Sequence, residues 1–171
     1  METEGIVNRV AQSSLILLDL EDYLSTKERV DFDVKDLLFE GLILREKEFR
    51  AFVKNHDWSQ YDDKLVRLHC SADAIVPTWA YMILVSKLQA ASLLVYGSNL
   101  DMEHAIVSQA IEQLVATVSL EDAKVVVKGC GEIQDKEYAY TELAKALVPK
   151  VTVLMFGEPC STVPVYKKSK K

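Results

Sequence analysis

Three cysteines, Cys70, Cys130 and Cys160, each fall just beyond a stretch that reads as a β-strand. Their surroundings are polar: His69-Cys70-Ser71-Ala72-Asp73, Gly129-Cys130-Gly131-Glu132 and Gly157-Glu158-Pro159-Cys160-Ser161-Thr162, with Gly97-Ser98-Asn99 at a fourth strand end. Two chemistries fit such a set. Thiolates drawn from separate loops suit a sulfur-preferring cation, zinc above all, with His56, His69 or Asp73 as a further ligand. A single thiol beside a helix amino terminus suits a nucleophile, and Cys70 is the candidate, because the helix expected after it would stabilise the thiolate. The third reading is packing alone, since cysteine behaves as a small hydrophobe and is among the most buried residue types. No Cys-x-x-Cys pair singles out the metal reading.

The remaining polar residues of these strand ends, Ser71, Asp73, Ser98, Glu132 and Glu158, are the candidates for holding a small molecule, with Glu132 and Glu158 able in principle to serve as acid and base. His69-Cys70 resembles the phosphate loop of cysteine-dependent phosphatases. Those enzymes place an arginine six residues after the cysteine, where this chain has Val76, and Asp73 would repel an anion, so phosphatase chemistry is disfavoured. Gly129-Cys130-Gly131 opens like a dinucleotide fingerprint, but Gln134 stands where the third glycine belongs. His69 and Cys70, adjacent on a strand, point to opposite faces. His56 continues the stripe Phe49, Phe52, Val53 and is read as a packed histidine. His104 lies off its helix's apolar stripe and is read as exposed.

The elements that must position these groups follow from hydrophobic periodicity. Short runs rich in Val and Leu, Lys64 to Cys70, Ser92 to Gly97, Lys124 to Gly129 and Val151 to Gly157, read as strands buried on both faces. Between them the 3.6-residue period predicts helices over Pro77 to Leu88, Asp101 to Val118 and Tyr138 to Val148, the first apolar nearly all round and so expected to be well buried. The repeat of about thirty residues is that of a βαβ unit. In the first third, Leu15 to Leu20 and Arg29 to Asp33 read as strands and Glu46 to His56 as a helix, while Leu37 to Leu44 is left open. The expected fold class is α/β: a three-layer, mostly parallel sheet with helices on both faces and antiparallel edge strands from the N-terminal third.

In such folds ligands bind beyond the carboxyl ends of the strands, often where strand order reverses. Neighbouring strands are ~4.8 Å apart and next-but-one strands ~10 Å. The three cysteines therefore converge only if the strand ending at Gly97 lies outside the one ending at Cys70, which then neighbours the strand ending at Gly129.

Length and charge set outer bounds. A chain of 171 residues, 49% apolar and 27% charged, is expected to form one domain over 1–171, with 167–171 a frayed basic tail. A net charge of −6 argues against nucleic acid. The most apolar stretch, Ala80 to Val85, is far below the ~20 residues of a membrane span. The amino end has no secretory pattern, so the expected location is cytoplasmic with reduced thiols.

Three long strings carry a family resemblance: Lys54-Asn55-His56-Asp57-Trp58-Ser59-Gln60-Tyr61, His69-Cys70-Ser71-Ala72-Asp73-Ala74-Ile75-Val76-Pro77-Thr78-Trp79-Ala80-Tyr81 and Phe156-Gly157-Glu158-Pro159-Cys160-Ser161-Thr162-Val163-Pro164. On them the chain resembles, over almost its whole length, a bacterial family of unknown function, domain of unknown function 2480. The resemblance implies a single-domain bacterial cytoplasmic protein and assigns no activity, cofactor or site residue. The leading functional expectation is a metal- or small-molecule-binding rim. The alternative is a non-catalytic, self-associating domain, a homo-oligomer, in which the cysteines are packed.

Overall fold

The computed structural model describes residues 15–129, 131–158 and 161–169. The fold is α/β with open, mostly parallel sheets, and the described residues form seven strands and four helices. In chain order these are β1 (Leu15–Leu18), β2 (Arg29–Asp33), α1 (Glu46–Asn55), β3 (Leu65–His69), α2 (Thr78–Lys87), β4 (Leu93–Tyr96), α3 (Asn99–Thr117), β5 (Lys124–Val127), α4 (Lys136–Leu147), β6 (Val153–Glu158) and β7 (Ser161–Lys167). The strands divide between two sheets, β2-β3-β4 and β1-β5-β6-β7. Two compact units follow this division, one made of Ser25–Ile106, the other of the chain up to Leu24 and from Val107 on, with α3 contributing residues to both.

In the unit Ser25–Ile106, all strand pairs are parallel, so all three carboxyl ends lie at one rim. Alternation along the strands puts Val30, Phe32, Val66, Leu68 and Leu94 on one face, where they pack with Phe49 and Val53 of α1 and Ala80 and Leu84 of α2. Helix α1 forms because Phe49, Phe52, Val53 and His56 recur at helical spacing, with Glu46 and Glu48 in its first turn and Lys54 in its last matching the helix dipole. It stops at His56, whose backbone is extended, and Asp57 then caps the short 3-10 turn Trp58–Tyr61 by accepting from the Ser59 amide at 3.0 Å.

The opposite face of β2 and β3 carries Arg29, Asp31, Asp33, Arg67 and His69. This corrects the reading of Lys64 to Cys70 as buried on both faces: Arg67 and His69 are only half-buried, on a face they share with the exposed Arg29 and Asp31 of β2. Arg67 donates to both oxygens of Asp31 at 2.7 Å, and Arg29 pairs with Glu103 in the first half of α3. A forked guanidinium–carboxylate pair of this kind is the strongest ordinary ion-pair geometry.

In the other unit, Leu18, Val125, Val127 and Leu154 pack against Ala110, Ile111 and Leu114 of α3 and Ala139, Leu143 and Leu147 of α4. Strands β1, β5 and β6 are parallel, and β7 returns antiparallel to β6. The edge strands from the N-terminal third, β1 and β2, are thus parallel, and the antiparallel edge comes from the C-terminus. Strand β7 was not anticipated, because Pro164 cannot donate to a ladder and is tolerated only at an edge. Its register with β6 shifts between Leu154 and Met155. Lys167 closes this strand, and Lys168 continues it by donating its amide to the Thr152 carbonyl at 2.9 Å and its ammonium to Asp122 at 3.0 Å.

Candidate functional site

The rim of β2-β3-β4 is organised around Asp33, the last residue of β2. Its carboxylate accepts from the Ser71 amide at 3.0 Å, the Ser71 hydroxyl at 2.6 Å and the Lys35 amide at 3.0 Å, and pairs with the Lys35 ammonium at 3.4 Å. Burial pushes this carboxyl up, but the donors from Ser71 and Lys35 outweigh it and hold Asp33 well below the usual carboxylate range. The effect is to tie the loop leaving β3 to the end of β2. Ser71 therefore has a structural partner, and Asp73, two residues on, is exposed. Beyond β4, Ser98 donates its amide and hydroxyl to Asp101 at 2.6 and 2.7 Å, and accepts from the Asp101 amide at 3.2 Å, a reciprocal cap at the start of α3. Gly97 precedes it with φ +144, and a Cβ there would collide with the Asp101 carboxylate, so the cap depends on glycine.

Cys70 is half-buried among the side chains between β3 and α1–α2, and its thiol donates to the Ala72 carbonyl at 3.6 Å. His69 points to the other face, as adjacency on a strand requires, and its buried Nε2 has no hydrogen-bond partner. His56 is packed as expected, tilted against Phe52 and edge to face with Trp58 at 4.5 and 4.7 Å between ring centroids, with Nε2 3.2 Å from the Tyr61 hydroxyl. His104 is half-buried rather than exposed.

A pocket of about 460 Å³ opens at this rim, lined by Ala74, Ile75, Val76, Thr78, Tyr81 and Tyr96. Its polar wall is the tyrosine pair, edge to face with centroids 4.9 Å apart at 69°. Burial, reinforced by Tyr96 and Cys70, pushes the Tyr81 hydroxyl up to about 12, so it stays a neutral donor in any physiological medium. Helix α2 begins at the pocket with Pro77 at its cap position and no side-chain cap. None of Tyr81, Tyr96, Thr78, Ile75 or Asp33 was singled out from sequence. Asp33 and Tyr96 end their strands as Cys70 and Gly97 follow theirs, so the rule that selected the cysteines would have found these two had every strand end been inspected.

The second rim, at the carboxyl ends of β1, β5 and β6, holds Asp19, Lys128 and Glu158. Lys128 reaches Asp19 at 3.3 Å, and that bond first, with help from the Glu158 charge, holds the ammonium above its ordinary range. The Glu132 amide donates to the Glu21 carboxylate, and Gly131 makes room for that side chain. Beside α4 lies a larger apolar groove of about 630 Å³, walled by Tyr140, Ala144, Phe156, Val163 and Val165 among others.

The candidate residues thus divide between the sheets: Cys70, Ser71, Asp73 and Ser98 belong to β2-β3-β4, and Glu132 and Glu158 to β1-β5-β6-β7. Cys130 and Cys160 lie outside the described residues. The strand ending at Gly97 does lie outside the one ending at Cys70, but the other neighbour of β3 is β2, while β5 pairs with β1 and β6. The strand adjacency on which the cysteine cluster depended is therefore not the pairing adopted. Among the described residues no three His, Cys, Asp or Glu side chains come together as a metal set, and no helix is long and apolar enough to cross a membrane.

A family model with the description "Protein of unknown function (DUF2480)" matches residues 4–168. No curated protein and no solved structure matches the chain.

Proposed function

Since this chain belongs to the family of proteins of unknown function DUF2480, we propose a function from its site alone: it binds a small, uncharged organic molecule at the rim of β2-β3-β4. The observation that carries this reading is the pocket between the carboxyl ends of β3 and β4 and the amino end of α2, lined by two tyrosines and no charged side chain. Ligand sites of parallel α/β sheets lie in this position, and its size is within the ~300–1,000 Å³ of small-molecule sites. A ring can pack against Tyr96, while a carbonyl accepts from the neutral Tyr81 hydroxyl or from the uncapped end of α2. A charged ligand would find no counter-charge in this lining. Ser71, Asp73 and Ser98 are proposed to border the mouth of the pocket. Glu132 and Glu158, on the other sheet, are not part of it.

Zinc held by Cys70 with Cys130 and Cys160 is the competing reading, as is a Cys70 nucleophile. The organic ligand is favoured because the Cys70 thiol is turned among core side chains and donates to the Ala72 carbonyl. The test is saturation-transfer NMR with benzamide, a ring bearing one carbonyl, as the probe. Transfer to benzamide is expected with the native chain and is expected to be lost in Thr78→Trp, which fills the pocket, and strongly reduced in Tyr96→Ala. Transfer that survives both substitutions overturns the reading, and about one equivalent of zinc in the purified protein would move the case to the competing one.

A further inference from the structure

The wall of this pocket is unfinished. Ile75, which lines it, is 90% exposed, and Tyr96 is 65% exposed. Exposed apolar surface continues on either side. Ile43 pairs with Ile75 in an isolated parallel bridge, and both Ile43 and the preceding Leu42 are more than half exposed. On α2, Met82 and Val85 follow the pocket residue Thr78 at i+4 and i+7, so they extend the same stripe, with Met82 67% exposed. Scattered apolar side chains are ordinary on a monomer's surface, but a contiguous group of this extent marks a contact. The sequence of α2 points the same way. A helix apolar on every face is one covered on every face, yet here Ala80 and Leu84 are buried while the Met82 side is bare.

We infer that a second copy of this chain seats on the surface formed by Leu42, Ile43, Ile75, Met82, Val85 and Tyr96 and closes the pocket, an inference that rests on the ligand reading for the pocket's role but not for the contact itself. Three observations select a second copy as the occupant. The six residues, 38% to 90% exposed, together present an area on the order of the ~800 Å² that each partner covers in a standard interface. None of the six is charged, so the patch itself sets no like charges against each other when copies that each carry a net −6 meet, and the exposed Asp73 falls to its rim. A two-fold arrangement lays the patch on itself, which covers both copies at once with matching chemistry. Among the edge strands of the two sheets, β7 is poorly suited to pairing, because Pro164 has no amide hydrogen to donate and the ladder is irregular beside it.

The test is sedimentation velocity of the full chain across the micromolar range, for the native protein and for Ile75→Glu and Met82→Lys. Both substituted residues are largely exposed, so the far-UV circular dichroism of the variants should match the native chain. The expected result is a native dimer whose dissociation constant rises roughly tenfold to a hundredfold in each variant. A native chain that remains monomeric, or a dimer that both substitutions leave intact, overturns the inference. Benzamide transfer, run on the same samples, separates the two readings. A native dimer without benzamide binding upholds the contact and removes the ligand, whereas a native chain that binds benzamide while remaining monomeric upholds the ligand and removes the contact.

Discussion

Phe49→Ala is expected to lower the stability of the folded chain by about 3–5 kcal/mol. Phe49 is 1% exposed, sits edge to face with Trp79 at 5.7 Å, and fills the space between α1, α2 and the apolar face of β2-β3-β4. Truncation removes the transfer free energy of the ring and leaves a cavity, because the backbone of a sheet and two helices closes on a void only in part. Urea unfolding measures the loss, and it also tests how the chain folds. Both tryptophans, Trp58 and Trp79, lie in the unit Ser25–Ile106, so fluorescence reports that unit while circular dichroism reports both. We propose that residues 1–171 fold as one domain, for which the two signals should move together in the native chain and shift together in Phe49→Ala. A fluorescence transition that moves while part of the dichroism does not would divide the chain into two folding units.

The second large effect is expected at Asp33. Replacement by Ala removes the acceptor of the Ser71 amide, the Ser71 hydroxyl and the Lys35 amide, and is expected to cost about 2–3 kcal/mol, measured by urea titration at neutral pH. The same carboxylate makes stability depend on pH. Asp33 is held below the usual carboxylate range in the folded chain, so between its folded and unfolded values the unfolded state binds more protons. Its contribution is complete above the unfolded value of ~3.9 and is lost as the pH falls from there toward the folded value. Asp33→Asn removes that titration, so the acid limb of its stability profile should be shallower than that of the native chain. Equal slopes below pH ~4 would show that the Ser71 and Lys35 contacts do not hold the carboxylate in solution. Asp31, lowered chiefly by its hydrogen bonds to Arg67, titrates in both proteins, and loss of the Asp33 charge, which raises it, moves its titration further down in Asp33→Asn.

The alternating Val and Leu runs and the stripes of period 3.6 located β3, β4, β5 and β6 and all four helices to within about two or three residues. They could do so because these signals are local: a strand or an amphipathic helix is written in neighbouring residues whatever it later packs against. The polar face of β2 and β3 was legible too, in the alternation of Arg29, Asp31 and Asp33 and in Arg67 and His69, but was passed over beside the apolar residues between them. Strand β7 escaped because Pro164 and the lysines that follow read as a terminus, when they are what protects an edge strand.

The candidate site was legible only as a set of strand ends. Cys70 was placed correctly at a rim, and the prospect of its acting with Cys130 was conditional on strand order. That order is not local. Whether β3 pairs with β2 and β4 or with β5 depends on which apolar faces can be covered together, and chains of similar local pattern pair their strands differently. The sequence by itself determined most of the elements, the acidic balance and the position of Cys70 at a strand end. Only the tertiary structure decided that the strands divide between two sheets, that Cys70 faces the side chains of α1 and α2, and that two tyrosines from separate elements meet at the rim, because each of these rests on contacts between residues far apart in the chain.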